Sequence, residues 1–159
     1  MDLKAETEIK PFLAQMASTN QVSDSASALI KYGREFRPLG PNPPWLRVGA
    51  RQNCFNNSLA YAVVRSDVSY AEGYAIEPDL VIPVHHAWLV DSTGRVIDPT
   101  WSDTTDHLYF GIAFKRDFVI ETMKRNGNEA GILVNFHLLR RRYRTPQLLE
   151  EAIKAAQVE

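Results

Sequence analysis

The sequence predicts an α+β domain that combines a small antiparallel sheet with several helices. Two apolar and aromatic runs, residues 84–91 and 95–101, flank Ser92, Thr93 and Gly94, the pattern of a β-hairpin with a three-residue loop. Segments on both sides of this hairpin carry apolar residues at helical spacing. The chain has 159 residues, enough to bury one continuous core.

We expect a single domain, residues 1–159, with three parts. Residues 1–48 form a helical N-terminal extension that ends in a Pro-rich loop, residues 49–114 form the core, and residues 115–159 form covering helices. In the extension, a loose apolar stripe interrupted by Pro11 predicts one or two short helices.

Periodicity and turn residues place the other elements. Helices are predicted over residues 23–32, 54–65, 115–125 and 146–157. Strands over residues 69–77 and 109–114 join the hairpin in one antiparallel sheet of three or four strands. Residues 132–139 fit a strand or a buried helical turn, and periodicity does not decide between them.

The hairpin brings an acid and a base together. Its three-residue loop pairs Asp91 with Arg95, and counting along the ladder from that pair makes His86 and Asp98 diagonal neighbours on one face. His85 points to the opposite face, because side chains alternate along a strand. A histidine oriented by a carboxylate is the base of a nucleophilic triad, so we expect His86 and Asp98 to act together.

Cys54, the only cysteine, is the candidate nucleophile. Asn53 is a suitable N-cap, which places Cys54 in the first turn of a helix, where unpaired N–H groups favour a thiolate. The same N–H groups could hold an oxyanion, with Gln52 as a side-chain donor. The alternative is that Cys54 is simply a small buried apolar residue, as many lone cysteines are.

Tryptophans and arginines allow two interpretations each. Trp45, in the Pro-rich loop, could line a cleft beside Cys54 or close the edge of the core. Trp88 and Trp101 are further candidates for substrate contact. The cluster of basic residues at positions 140–144 is either a solvated face or a surface that binds a partner or nucleic acid.

Composition narrows the class of protein. The 18 basic and 19 acidic residues give a net charge of −1, which does not indicate nucleic-acid or anionic-membrane binding. A single cysteine excludes an internal disulfide, and no apolar run reaches the length of a signal core or membrane span. We therefore expect a protein with no membrane partner that is cytoplasmic or is delivered to another cell without a signal peptide. The oligomeric state cannot be read from these features.

Metal binding is not predicted. Cys54, His85, His86 and Asp98 are ligand types, but no metal-ligand spacing is present, and adjacent histidines on a strand face opposite ways. We therefore expect neither a metal nor another cofactor.

Several motifs together resemble the core of the transglutaminase-like branch of the papain-like cysteine protease superfamily. These are Cys54 at the start of a helix, the Gly73-Tyr74 strand, His86-Ala87-Trp88 and Asp98-Pro99-Thr100, within residues 52–101. The resemblance implies a papain-like core whose nucleophile helix packs on the sheet. It also implies a catalytic triad of Cys54, His86 and Asp98. The predicted hairpin register brings together the same histidine and aspartate.

The resemblance implies a cysteine-dependent acyl-transfer enzyme acting on a protein or peptide substrate with a reactive amide. Glutamine deamidase, transglutaminase and peptidase share this chemistry and remain open. The alternative is a catalytically silent binding module with the same fold, in which Trp45, Trp88 and Trp101 surround a cleft.

Overall fold

The chain folds as an α+β protein. The computed structural model describes residues 4–18, 23–38, 40–80 and 82–158, which contain six helices and five strands. The helices are α1 (Lys4–Ser18), α2 (Ser23–Tyr32), α3 (Cys54–Ala62), α4 (Arg116–Arg125), α5 (Phe136–Arg142) and α6 (Pro146–Ala156). The strands are β1 (Arg34–Phe36), β2 (Val68–Ile76), β3 (Val84–Asp91), β4 (Val96–Ile97) and β5 (Leu108–Phe114).

All five strands form one sheet in the order β1-β5-β2-β3-β4, and every neighbouring pair is antiparallel. The predicted hairpin is confirmed: Val90 pairs with Val96, and the Asp91 N–H donates to the Arg95 carbonyl at 3.0 Å. Gly94 has a φ of 84°, the left-handed conformation that this loop requires.

The second strand of the hairpin is shorter than predicted. The ladder ends at the Leu89–Ile97 pair, whereas the apolar run continues to residue 101. Beyond it, Pro99 has no N–H, and the backbone N–H groups of Thr100 and Trp101 donate to the Asp98 side chain. The chain therefore leaves the sheet at Asp98 in a side-chain-stabilised turn.

Strand β1 was not predicted. Its three residues pair with β5, so the sheet has five strands where three or four were expected. A strand of this length has too few residues to show alternation, and its pairing partner lies far along the chain.

Each face of the sheet carries its own apolar layer. On one face the helices α1, α2 and α3 pack through residues such as Leu13, Leu29 and Leu59. The other face carries a smaller cluster that includes Trp88 and Tyr109. Helix α3 therefore packs on the same sheet that contains the hairpin.

The predicted helices after the sheet are confirmed as α4 and α6. Thr145 Oγ1 accepts from the Leu148 N–H at 3.2 Å and Pro146 follows, a favourable helix start. The segment 132–139 leads into α5 and forms no strand. In the part of the chain that the structure describes, no helix combines the length and apolar character needed to cross a bilayer.

Candidate active site

Cys54 is the first residue of α3, at the predicted position after Asn53. Asn53 occupies the cap position, but its side chain makes no capping hydrogen bond and instead accepts from Asn56 Nδ2 at 2.9 Å. The first-turn N–H groups thus lack the side-chain cap that Asn53 was expected to supply. The Cys54 side chain is largely buried, with 8% exposure of the residue.

His86 and Asp98 contact each other as the hairpin geometry predicted. His86 Nε2 lies 2.8 Å from Asp98 Oδ2, and both residues are buried. The neutral ring therefore carries its proton on Nε2, because Asp98 accepts there, and Nδ1 is the nitrogen that remains to take a proton.

Asp98 is held by donors on both of its oxygens. Oδ1 accepts from the N–H groups of Thr100 and Trp101, at 2.8 and 3.1 Å. Oδ2 accepts from the Tyr109 hydroxyl at 2.7 Å in addition to His86. A carboxylate with this many partners is fixed in position and can orient the imidazole.

His86 interacts with both Asp98 and Cys54. Burial alone would lower the pKa of His86, but hydrogen bonds and charge from Asp98 and Cys54 outweigh it and raise that pKa to about 9. The ring is then an imidazolium at neutral pH.

Trp101 covers the His86 ring. The two rings stack with their centroids 3.9 Å apart and their planes within 9° of parallel. The His107 ring also packs against Trp101, with the two ring centroids 4.9 Å apart. Burial lowers the pKa of His107. Trp101 is only partly buried, so of the three predicted tryptophans it is the one that both stacks on His86 and keeps some exposed surface.

The other predicted substrate-binding residues lie in different settings. Gln52 is exposed, directly before the Asn53–Cys54 helix start, and has a left-handed φ of 60°. Trp45 packs on Tyr61 of α3, at 5.3 Å between centroids, with the Arg65 guanidinium 3.9 Å from its ring. This packing agrees with the interpretation in which Trp45 closes the edge of the core, and not with the one in which it lines a cleft beside Cys54.

Trp88 requires a correction. It was expected to line a cleft, but its side chain is completely buried in the smaller apolar cluster. Its ring lies over Gly111, where an added Cβ would come within 2.7 Å of it. Trp88 therefore packs the sheet and offers no surface to a substrate.

His85 pairs with a second buried carboxylate on the other face. Its Nε2 lies 3.1 Å from Glu72 Oε1, although the ring is not aligned for a hydrogen bond. His85 also stacks on Tyr74 and meets the edge of Phe55, the residue after Cys54. The two adjacent histidines thus contact two different acids on opposite faces, as strand alternation requires.

Glu72 joins the sheet to the chain that precedes α5. Its oxygens accept from the Tyr70 hydroxyl and from the N–H groups of Ile132 and Val134, at 2.8, 2.7 and 2.6 Å. Burial would raise the pKa of Glu72, but the His85 ring and these donors lower it below its usual value. This fully buried carboxylate therefore holds the C-terminal part against β2.

Replacing Glu72 by Gln should destabilise the fold by about 3 kcal/mol, since an amide nitrogen would face a hydrogen-bond donor in a buried site. Urea unfolding followed by circular dichroism measures this loss. Glu129→Gln, at an exposed position, is the matched control and should change the free energy of unfolding by less than about 0.5 kcal/mol. Equal effects of the two substitutions would contradict the anchoring role of Glu72.

Sequence reasoning missed Glu72 as the acid beside His85 and Tyr109 as a donor to Asp98. Glu72 could have been found: it shares a strand face with Tyr70 and Tyr74, and a Glu on an apolar strand face needs a partner. Tyr109 comes from β5, two strands away from His86, so no local pattern indicates its contact.

No metal centre is found: among the residues that the structure describes, no three His, Cys, Asp or Glu side chains cluster as metal ligands. Comparison with protein-family models, with curated proteins and with solved structures found no match to this chain.

Proposed function

We propose that this protein is a cysteine-dependent acyl-transfer enzyme that acts on amide groups of proteins. The observation that carries the proposal is a buried imidazole, His86, that is bonded to Asp98 through Nε2 and also interacts with Cys54. This arrangement matches what nucleophilic catalysis requires: a nucleophile, a base and a group that orients the base.

The reaction would proceed in two halves. The Cys54 sulfur attacks the amide carbonyl carbon, the C–N bond breaks, and the amine leaves with the proton that His86 held on Nδ1. In the second half, water or a second amine attacks the thioester while His86 takes up its proton. The C–S bond then breaks, which frees the product and returns the sulfur and imidazolium to their starting state.

The negative oxygen that forms during attack would be stabilised at the start of α3. The backbone N–H of Cys54 lies in a helix turn without a side-chain cap, and the helix dipole adds positive potential there. Gln52 adopts a left-handed conformation that costs about 1 kcal/mol for a residue with a side chain, and strain of this kind is often found at functional sites.

A transglutaminase-like core fits this proposal. In that arrangement, a helix that begins at the nucleophile packs on an antiparallel sheet that supplies the histidine and the acid. Here α3 begins at Cys54 and contacts β3, the strand of His86. Deamidation, cross-linking and peptide cleavage share the first half-reaction and differ in the acceptor and in the amide attacked.

The activity should decline at alkaline pH. Because the pKa of His86 is raised to about 9, the imidazolium that protonates the leaving amine is present below that pH and is lost above it. We expect kcat/KM to fall with an apparent pKa of about 9, a value that belongs to the coupled Cys–His pair. A fall centred near 6.5, the usual value for histidine, would contradict the assigned environment.

Mass spectrometry of protein substrates tests the proposal. Glutamine-rich proteins are incubated with the wild type and with Cys54→Ala, with and without a primary amine such as ethylamine. A Gln-to-Glu shift, an ethylamide adduct or a cleaved chain that requires Cys54 would each identify one reaction. Cys54→Ser is the matched variant, which keeps the side-chain volume close to that of the thiol. If all products are equal with the wild type and Cys54→Ala, the enzyme proposal fails.

A binding module without turnover is the second candidate. The burial of the site favours it, because Cys54 is 8% exposed, His86 is 3% exposed, and Trp101 covers the ring. An enzyme of this kind must admit the substrate carbonyl to the sulfur. Under the binding hypothesis the products described above would be absent, and the sulfur would react with thiol reagents only as fast as the fold opens.

A further inference from the structure

A groove lies between α2, α5 and α6, remote from the triad. Its volume is about 600 Å³, within the range of ligand-binding pockets. The apolar residues along it are Ala28, Phe136, Leu149 and Ile153. None of the residues that line it belongs to the candidate active site, so the proposed chemistry does not account for it.

The rim of this groove carries an excess of positive charge. Arg140, Arg141 and Arg144 all line it, whereas Glu150, also on the rim, is already paired with Lys31. Among the described residues, Arg141 and Arg144 have no ion-pair partner and are exposed. Three guanidinium groups therefore surround an apolar floor in a protein whose net charge is −1.

The position of Arg142 shows that the basic residues at positions 140–144 do not all point into solvent. Its guanidinium turns to α4 and lies 3.1 Å from Glu121 Oε1, within reach of Thr122. Arg140, Arg141 and Arg144 instead line the groove. The basic segment at the end of α5 thus contains Arg142, which contacts α4, and the exposed residues Arg141 and Arg144, which line the groove.

We propose that this groove binds an acidic segment of a partner protein, with apolar side chains on the floor and carboxylates on the arginine rim. Arginine pairs with carboxylates through two parallel hydrogen bonds, and apolar floors of grooves between helices accept Leu or Phe side chains. Nucleic acid fits less well, because phosphates gain nothing from an apolar floor and the chain as a whole is not basic. This inference is independent of the proposed acyl transfer.

Fluorescence anisotropy with a labelled peptide, Glu-Glu-Leu-Glu-Glu-Leu-Phe-Glu, tests the proposal on the full chain. We expect saturable binding that weakens with added salt and is lost when Gln replaces every Glu in the peptide. The double variant Arg141→Glu, Arg144→Glu should weaken binding about tenfold or more, because two favourable charge contacts become repulsive. Leu149→Gln should weaken it independently of salt.

Lys124→Glu is the matched control, since it reverses an exposed charge on α4 outside the groove. It should leave the affinity within about twofold of the wild type, and circular dichroism confirms that each variant is folded. The proposal is overturned if the wild type shows no saturable binding, or if Lys124→Glu weakens binding as much as the double variant. It is also overturned if an oligothymidylate binds as tightly as the acidic peptide.

Discussion

Replacing His86 by Ala should lower the rate of acyl transfer by about 10⁴-fold, because the imidazole both activates the sulfur and protonates the leaving amine. His86 is buried together with Asp98 and Cys54 and interacts with both of them. The rate is measured as ammonia or amine release from the substrate that mass spectrometry identifies.

His85→Ala is the matched control for this prediction. This substitution also removes an imidazole from β3, but from the neighbouring residue, whose side chain lies on the opposite face of the sheet beside Glu72. We expect its activity to stay within about tenfold of the wild type, with a loss of stability instead. If the two substitutions had equal effects on activity, or if His85→Ala had the larger one, the assignment of His86 as the base would be wrong.

Replacing Asp98 by Asn should lower the rate by about 10³-fold with little change in fold. An amide can present N–H to His86 Nε2, which moves the ring proton to Nδ1 and blocks the nitrogen that must accept a proton. Charge from Asp98 also raises the pKa of His86, so in the variant the alkaline decline of activity should move to lower pH.

Tyr109→Phe provides the comparison for Asp98→Asn. It removes one donor to Asp98 Oδ2 but leaves the carboxylate and its contacts with His86, Thr100 and Trp101. We expect a loss of less than about tenfold, measured in the same assay. An Asp98→Asn variant that keeps wild-type activity and pH dependence would show that the carboxylate does not orient the base.

Local patterns predicted the elements that place the triad. The three-residue loop fixed the register of the hairpin as far as the Leu89–Ile97 pair, and the turn at Asp98 places its side chain at hydrogen-bonding distance from His86. The helix start at Cys54 was also predictable from sequence, because helix signals depend on neighbouring residues. Their roles in catalysis remain predictions that the experiments above address.

Features that depend on distant parts of the chain could not be predicted. Tyr109 reaches Asp98 from β5, and the donors that satisfy Glu72 lie some sixty residues further along the chain. The burial of Trp88 depends on Gly111 in another strand, which leaves space for the ring. A tryptophan fits a core as well as a cleft, so composition and spacing could not distinguish these outcomes.

The account depends most directly on whether His86 activates the Cys54 sulfur, and the rate of alkylation by iodoacetamide measures this. The rate is measured in steps from about pH 5 to pH 9. In the lower part of this range an ordinary thiol is almost inert, and we expect Cys54 to react there. His86→Ala should slow the reaction sharply at neutral pH. Removing the ring also opens space beside the buried sulfur, so accessibility alone would make the variant react faster. A slower variant supports the account. An ordinary thiol profile in the wild type, or faster alkylation of His86→Ala, would contradict it.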